Sequence, residues 1–408
     1  MLYIVDIRSN EIAGYLRGHG GAITSITVHP TEPHLLCTTS RDFTARIYDL
    51  TLSPNQEPNN PMWMPGAGPN RAGAAHALHM TESEGQYSGR CVAVLCAGRS
   101  GGHQAAVLGS AFHPTLPIIA TCGLDRVVKI WRIPPPVEGE NPPILREDKP
   151  LFSSSCVHRS RVLSINWSAP SALLCIVTDN KLLFDYFACR IGYDTLLTHS
   201  APILLRRGPK EWQEEAGEMV VWQWLGADRF FPLHHPVQDV LRGCTSDYQE
   251  SSSFKILSSV PLPYPPISQR IPPSSVQIAV CSSPSTDPTT RSNRHDPLIL
   301  VPLLDIVRVI NAGDLAPRAS PPFPLDVPEV VEMTKRIRLD EGSGEGERIW
   351  QEGLGWGIET GTSKGKSRFD ADEEAKESVQ AACMSVDRKV VIAVGEQGAI
   401  WVWVHKTG

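Results

Sequence analysis

Two separated stretches of the sequence carry the same series of signals in the same order. Residues 18 to 50 run Gly18-His19, an apolar alternation through Ile23, Ile26 and Val28, then His29-Pro30, the run Leu35-Leu36-Cys37, the cluster Ser40-Arg41-Asp42, and Ala45 to Asp49. Residues 102 to 132 run Gly102-His103, Val107 to Phe112, His113-Pro114, Ile118 to Cys122, Gly123-Leu124-Asp125, and Val127 to Arg132. Short apolar runs read as strands, and the His-Pro and Asp-bearing clusters between them read as tight turns. Each stretch is thus one four-stranded antiparallel unit, and a unit that recurs buries its faces by stacking on its neighbours.

Fainter copies follow. Val157 to Trp167 opens a third unit that closes on Glu218 to Trp224, and a fourth, with eroded turns, uses Phe254 to Val260, Val276 to Cys281, Leu298 to Val301 and Ile306 to Ile310. The last is clearer, from Gln380 to Val386 through Val390 to Val394 to Ala399-Ile400-Trp401-Val402-Trp403. The expected organisation is one β-propeller over 1–408: the last strand of a truncated blade at 1–10, blades at 11–50 and 91–133, an interrupted blade at 151–224, an eroded blade at 253–312 and a C-terminal blade at 380–404. Gly and Pro, 32 and 35 of the 408 residues, concentrate where this pattern breaks. Residues 52–89, 261–297 and 313–379 lack strand periodicity and are expected to be inserted loops or disorder, and 168–216 does not look like part of a blade.

Several function classes drop out on composition and spacing. A formal net charge of −6 lacks the strongly basic footprint of a protein that holds nucleic acid by charge alone. The ten cysteines form no CxxC pair and have no histidine at zinc-ligand spacing; Cys37 and Cys122 sit inside apolar runs, where a reduced thiol acts as a small hydrophobe, and a reducing compartment is expected. No cofactor and no metal site is expected. His76 and His79 lie in a loop with no third ligand nearby, and Gly66-Ala67-Gly68 lacks the strand-to-helix setting of a dinucleotide fingerprint. Neither a P-loop nor a nucleophile elbow occurs, so no catalytic residue is assigned. Nothing after Met1 reads as a signal peptide, and the best membrane candidate, Pro297 to Ala312, is short and carries Asp305 and Arg308. Lys335-Arg336-Ile337-Arg338 reads as a solvated charge run, with a nuclear-import patch as the sharper alternative.

The recurring unit resembles the WD40 blade, in which the leading Gly-His, a second-strand Ser or Thr, the turn Asp and a third-strand aromatic form a buried hydrogen-bond relay. That resemblance implies pins at His19, Ser40 or Thr38, Asp42 and Tyr48 in one blade and His103, Thr121, Asp125 and Trp131 in the next, with His158, Trp167 and Trp401 in later ones.

More narrowly, Gly14 to Ile23 with His29-Pro30 and Pro33 to Leu36, Cys122 to Asp125 with Lys129 to Ile133, His158-Arg159 to Trp167, and Ala399 to Trp403 resemble the embryonic ectoderm development / extra sex combs family. These are the WD40 subunits of Polycomb repressive complex 2. The resemblance covers residues 1–50, 91–133, 151–167, 217–224 and 378–404. It implies a seven-bladed, non-catalytic, nuclear scaffold that binds an enhancer-of-zeste-type SET-domain methyltransferase across one face. On the other face, family members read a trimethyl-lysine of histone H3 through an aromatic cage held by cation–π attraction.

This sequence departs from the family at the cage. Two of the family's rings precede anything matching Met1, and the other two belong near Ser274 to Cys281, which reads Ser-Ser-Val-Gln-Ile-Ala-Val-Cys. Positions where relatives contact peptide appear as Arg161, Leu163 and Gln380. The expectation is an incomplete propeller with about five recognisable blades, which keeps the scaffold role, loses the cage and binds histone H3 weakly at most. Incomplete sequence is favoured over a natural five-bladed ring. The alternative is a WD40 adaptor of another complex, such as a ubiquitin-ligase substrate receptor.

Overall fold

In the computed structural model the described residues are 1–54, 85–96, 101–133, 135, 144–167, 195–200, 203–206, 212–215, 217–231, 240–262, 278–281, 298–303, 306–312, 315, 356–359, 379–385, 388–395 and 398–404. Apart from two four-residue helices, their regular structure is β-strand. The chain forms two compact units, one of Met1–Trp167, Tyr193–Ser200 and Gln223–Lys255, the other of Ser168–Gly192, Ala201–Trp222 and Ile256–Gly408.

The first unit opens with β1 (Leu2–Asp6) and β2 (Glu11–Leu16), antiparallel neighbours in a three-stranded sheet. The first of the two matched stretches then gives β3 (Ile23–Val28), β4 (Leu35–Ser40) and β5 (Ala45–Asp49). β6 (Gly85–Tyr87) returns to pair with β2, and β7 (Arg90–Leu95) adds to β5. The second stretch gives β8 (Val107–Phe112), β9 (Ile118–Gly123) and β10 (Val128–Arg132). β11 (Leu145–Glu147) runs parallel to β7 and makes that sheet five-stranded, while β12 (Phe152–Ser154) completes the β8 sheet at four. β13 (Val162–Trp167) pairs with β14 (Thr195–Ser200).

Period-two alternation explains how one sheet serves two cores. In β5, Ala45 and Ile47 point to one face and Tyr48 to the other. Ala45 and Ile47 join Cys37, Ala93, Leu95, Phe112, Ile119 and Trp131 against the β8 sheet. Tyr48 joins Leu2, Leu16, Leu36, Cys91, Val94 and Cys96 on the side of the β1–β2 sheet. A sheet covered on both faces buries every position, as in β8 and β9, which are mostly apolar and whose polar Ser110 and Thr121 are hydrogen-bonded. Burial holds the Cys37 thiol up at about 12 and the Cys96 thiol at about 11, so both stay protonated and pack as small apolar groups.

In the second unit, β15 (Ile203–Arg206) and β16 (Trp212–Glu215) form a two-stranded ribbon. β17 (Glu218–Trp224) and β18 (Phe254–Pro261) each pass from one unit to the other along the chain, and the short helices α1 (Ala227–Phe230) and α2 (Thr245–Tyr248) lie between them in the first unit. β19 (Ala279–Cys281), β20 (Leu298–Leu303), β21 (Ile306–Asn311) and β22 (Trp356–Glu359) make a four-stranded sheet. β23 (Val379–Met384), β24 (Val390–Gly395) and β25 (Ile400–Val404) make a three-stranded one. These two sheets share a core of Leu298, Leu300, Val307, Val309, Val379, Val391 and Ala393, with Trp401 and Trp403 packed against it.

The strands differ from the sequence reading in several places: β7 joins the β3–β5 sheet rather than the blade read at 91–133, and β12 joins the β8 sheet rather than the blade read at 151–224. β1 pairs with β2, so Met1 to Ile7 is not the lone last strand of a blade, and β2 belongs with it rather than with the blade read at 11–50. β6 and β22 arise inside stretches read as strandless insertions, 52–89 and 313–379, and β14, β15 and β16 arise within 168–216. Three- and four-residue strands are too short to show periodicity and are fixed by the sheet edge they meet. No helix among the described residues is long and apolar enough to cross a membrane.

Candidate functional site

The polar groups of the first unit gather where the loops before β3, β8 and β13 meet the turns after β4 and β9. Pairing of Ile23 with Ser40, and of Val107 with Gly123, brings each loop beside its turn. In the first copy Gly18 has φ +126, and a Cβ there would run into the Arg46 guanidinium, so the Gly-His loop needs glycine at this point. His19 is thereby laid along the turn. Its Nδ1 lies 2.9 Å from Asp42 Oδ2 and its Nε2 2.7 Å from Thr38 Oγ1. The carboxylate accepts only, so Nδ1 carries the proton and Thr38 donates to Nε2.

Asp42 is saturated. It also accepts from Gly20 N at 2.9 Å, Thr44 N at 3.0 Å and Thr44 Oγ1 at 2.7 Å. Burial raises its pKa, but the His19, Thr44 and Gly20 donors outweigh that and hold it below the usual carboxylate range. Burial lowers the pKa of His19, more than the Asp42 contact raises it, and the ring stays neutral.

The second copy repeats the order and extends it. His103 Nδ1 lies 2.9 Å from Asp125 Oδ2, His103 Nε2 lies 2.8 Å from Thr121 Oγ1, and Trp131 Nε1 donates to Thr121 Oγ1 at 2.8 Å. Burial raises Asp125, yet His103 and the N–H groups of Gln104 and Val127 pull it down to about 2. Tyr48, expected in the place of Trp131, sends its hydroxyl to the Arg17 carbonyl at 3.4 Å instead, and among the described residues no aromatic donor reaches Thr38. Of the two candidates on the second strand, Thr38 takes the histidine; Ser40 Oγ accepts from Asp42 N at 3.2 Å.

Threonine, histidine and aspartate joined in this order have the connectivity of a hydrolase triad. The geometry closes that use. His103 is 3% exposed and Thr121 1%, and the Trp131 N–H occupies the hydroxyl oxygen that would have to attack. Such a relay fixes loops; it offers no atom to a substrate.

In the third copy His158 Nε2 lies 2.6 Å from Thr198 Oγ1 on β14. Thr198 escapes the sequence reading because it lies within 168–216; its signal is a threonine after the apolar pair Leu196-Leu197, as Thr121 follows Ile119-Ala120. Trp167 donates from Nε1 to the Ala111 carbonyl at 2.9 Å and packs edge-on against His113. His29 packs against Phe112 one copy earlier. Both His-Pro histidines use Nδ1 to accept turn amides, His29 from Glu32 N at 3.1 Å and His113 from Leu116 N at 2.9 Å.

The peptide-contact candidates fare differently. Arg161 is exposed just before β13, Leu163 is buried within β13 at 2% exposure, and Gln380 is half-buried on β23 in the other unit. A leucine with no open surface cannot touch a peptide. Ser274 to Gln277, where two cage rings were sought, lies outside the described residues, as do His76, His79 and Lys335 to Arg338. A different set of rings, Phe152, Trp224, Phe230 and Phe254, does converge in the first unit, with Trp224 stacked on Phe230 at 5.7 Å. Phe152, Trp224 and Phe230 are at most 2% exposed, so this is core and not an open cage. Among the described residues no three metal-ligating side chains gather.

The family model for the WD domain, G-beta repeat, matches residues 10–49 and 89–132. The Polycomb group protein FIE1 of Zea mays is 26% identical over 32% of this chain and 20% of its own length. Polycomb protein EED of Chaetomium thermophilum is 25% identical over 39% of this chain and 22% of its length, and Polycomb protein esc of Drosophila melanogaster 23% over 41% and 34%. The chain thus spans between a fifth and a third of the curated relatives it matches. Among solved structures, a chain of the Chaetomium thermophilum polycomb repressive complex 2 superposes with a TM-score of 0.53 at 13% identity, over 98% of this chain and 76% of that one. A humanized mutant of the same complex gives 0.55 at 14%, over 100% and 77%. The fold is therefore an all-β WD40-type β-propeller fold, and the chain resembles the embryonic ectoderm development / extra sex combs family of Polycomb WD40 proteins.

Proposed function

We propose that this chain is a non-catalytic scaffold subunit of a Polycomb-type histone H3 lysine methyltransferase complex, acting in the nucleus in transcriptional repression. The observation that carries the reading is the pair of pinned blades. The stretches that match the WD domain, G-beta repeat, contain the residues that hold the leading loops and turns rigid, while the Thr-His-Asp groups that resemble a catalytic site are sealed. Rigid loops on a polar-pinned sheet suit a protein that presents surfaces to partners. The partner in this reading is an enhancer-of-zeste-type SET-domain methyltransferase.

Co-expression with such a methyltransferase tests it. A stoichiometric complex that methylates nucleosomal H3 is expected; failure to co-purify, together with capture of a ubiquitin-ligase core, would put the chain among the adaptors instead. Loss of the methyl-lysine cage is part of the same reading. In calorimetry a trimethyl-lysine H3 peptide should release no measurable binding heat at tens of micromolar, and low-micromolar binding would refute that part.

A further inference from the structure

The inner strands of the first unit's three successive sheets run side by side in the same direction. Thr27 Oγ1 donates to the Ser110 carbonyl at 2.9 Å, and a Cβ on Gly109 would touch Ser164, which places β3, β8 and β13 in step. The loops before these strands, and the turns after β4 and β9, therefore open onto one face. Its exposed charges are of one sign. Arg41, Arg126, Arg159 and Arg161 are all exposed, and no exposed aspartate or glutamate occurs among the described residues of these loops and turns.

Three of the carboxylates nearby are hydrogen-bonded within the fold, and Asp148, beside Gly101, is partly exposed. Asp42 and Asp125 are held by the histidine relays. Glu250, at the rim, accepts from Ser154 Oγ at 2.8 Å and from Ser155 N and Oγ at 3.0 Å. The relays thus fix the turns that carry Arg41 and Arg126 and keep the Asp42 and Asp125 carboxylates beneath the surface, where the guanidinium groups stand outermost. Arg126 sits at φ 67, the position that Phe43 takes at φ 69 in the first copy.

In a chain of net charge −6, such a face is a local inversion of sign. Sheets packed face to face lie about 10 Å apart, so three of them spread the arginines over about 20 Å. That length of duplex carries about six phosphates per strand. A dispersed row of guanidinium forks suits a regular polyanion better than one bound ion.

We propose that this face binds the phosphodiester backbone of duplex nucleic acid without sequence preference, independently of any methyltransferase partner. It would repel the basic peptide that the family reads by its cage.

The test is fluorescence anisotropy of a labelled 24-base-pair mixed-sequence duplex with the full chain at 50 to 200 mM salt. Micromolar binding at 50 mM salt is expected, falling on a log–log plot with a slope of about −3 for three to four phosphates neutralised. The triple variant Arg41→Glu, Arg126→Glu, Arg161→Glu should weaken binding at least tenfold at an unchanged melting temperature, and the corresponding Lys triple should retain most of it. Absence of saturable binding at 50 mM salt overturns the proposal. So does a folded Glu triple that binds like wild type, or binding of a poly-glutamate peptide in place of duplex.

Discussion

The two copies at residues 18–50 and 102–132 share a grammar but differ in how their polar groups are satisfied. In the second, the bonds run unbroken from Trp131 through Thr121 and His103 to Asp125. In the first, the run ends at Thr38, and Asp42 gains one bond that Asp125 lacks: Thr44 gives it a hydroxyl as well as an N–H, where Val127 in the equivalent turn offers only its N–H at 3.2 Å. A buried relay is therefore defined by complete satisfaction, not by a fixed list of residue types. When the aromatic donor is lost at one end, the carboxylate end gathers more donors.

The largest effect should come from removing the carboxylates. Asp42→Ala strands four donors and Asp125→Ala three, and each takes the carboxylate from the Nδ1 of a histidine held beneath the turn. Losses of about 4 and about 3 kcal/mol are expected from denaturant midpoints. Equal small losses, within about 0.5 kcal/mol as at ordinary surface sites, would show that the relays do not hold the blades.

Acid should separate the copies next. Asp125 is depressed to about 2 from an ordinary 3.8, so its contribution, about 2 kcal/mol, is present above 3.8 and disappears as pH falls to about 2. His19 has its pKa lowered, so the unfolded chain takes up the proton first, and the cost to the first copy begins as pH drops below 6.5. Stability measured from pH 7 to 2 should show both declines in wild type. Asp125→Asn should shrink the lower one to the part that the likewise depressed Asp42 contributes, and His19→Gln should shrink the upper one to the part that His29, also lowered by burial, contributes.

The smallest and most discriminating pair is aromatic. Trp131→Phe removes the donor to Thr121 and should cost about 1 kcal/mol by thermal or chemical melting. Tyr48→Phe removes a long 3.4 Å contact to the Arg17 carbonyl and should cost less than Trp131→Phe. A reversal of that order would mean that the first relay is completed by Tyr48 after all.

What was legible in the sequence was local. His19 and Asp42, or His103 and Asp125, lie about twenty residues apart within one sheet, and their turns announce themselves by Gly-His, His-Pro and Asp. Thr198 was not legible, because it pairs with His158 across 40 residues that interrupt the grammar. Neither was β11, whose three residues are held by its pairing to β7, by Arg132 bonded to Glu147, and by Cys96 N donating to the Glu147 carbonyl. The arginine face was invisible for another reason: net charge averages over the chain, and only the fold puts four exposed cations on one side and holds Asp42 and Asp125 beneath them.

The late-returning strands carry a consequence for how the protein folds. β6 reaches β2 only after the chain has closed a loop from Leu16 to Gly85, for which the entropic cost grows as about (3/2)RT ln n. β11 likewise docks on a β7 edge that exists only once β5 and β7 have paired. Both should form after the rate-limiting step, so substitutions in β6 or β11 should speed unfolding and leave the refolding rate nearly unchanged. The length of each excursion would then be almost free to vary, since the strands at its ends decide stability and the loop between them barely slows assembly.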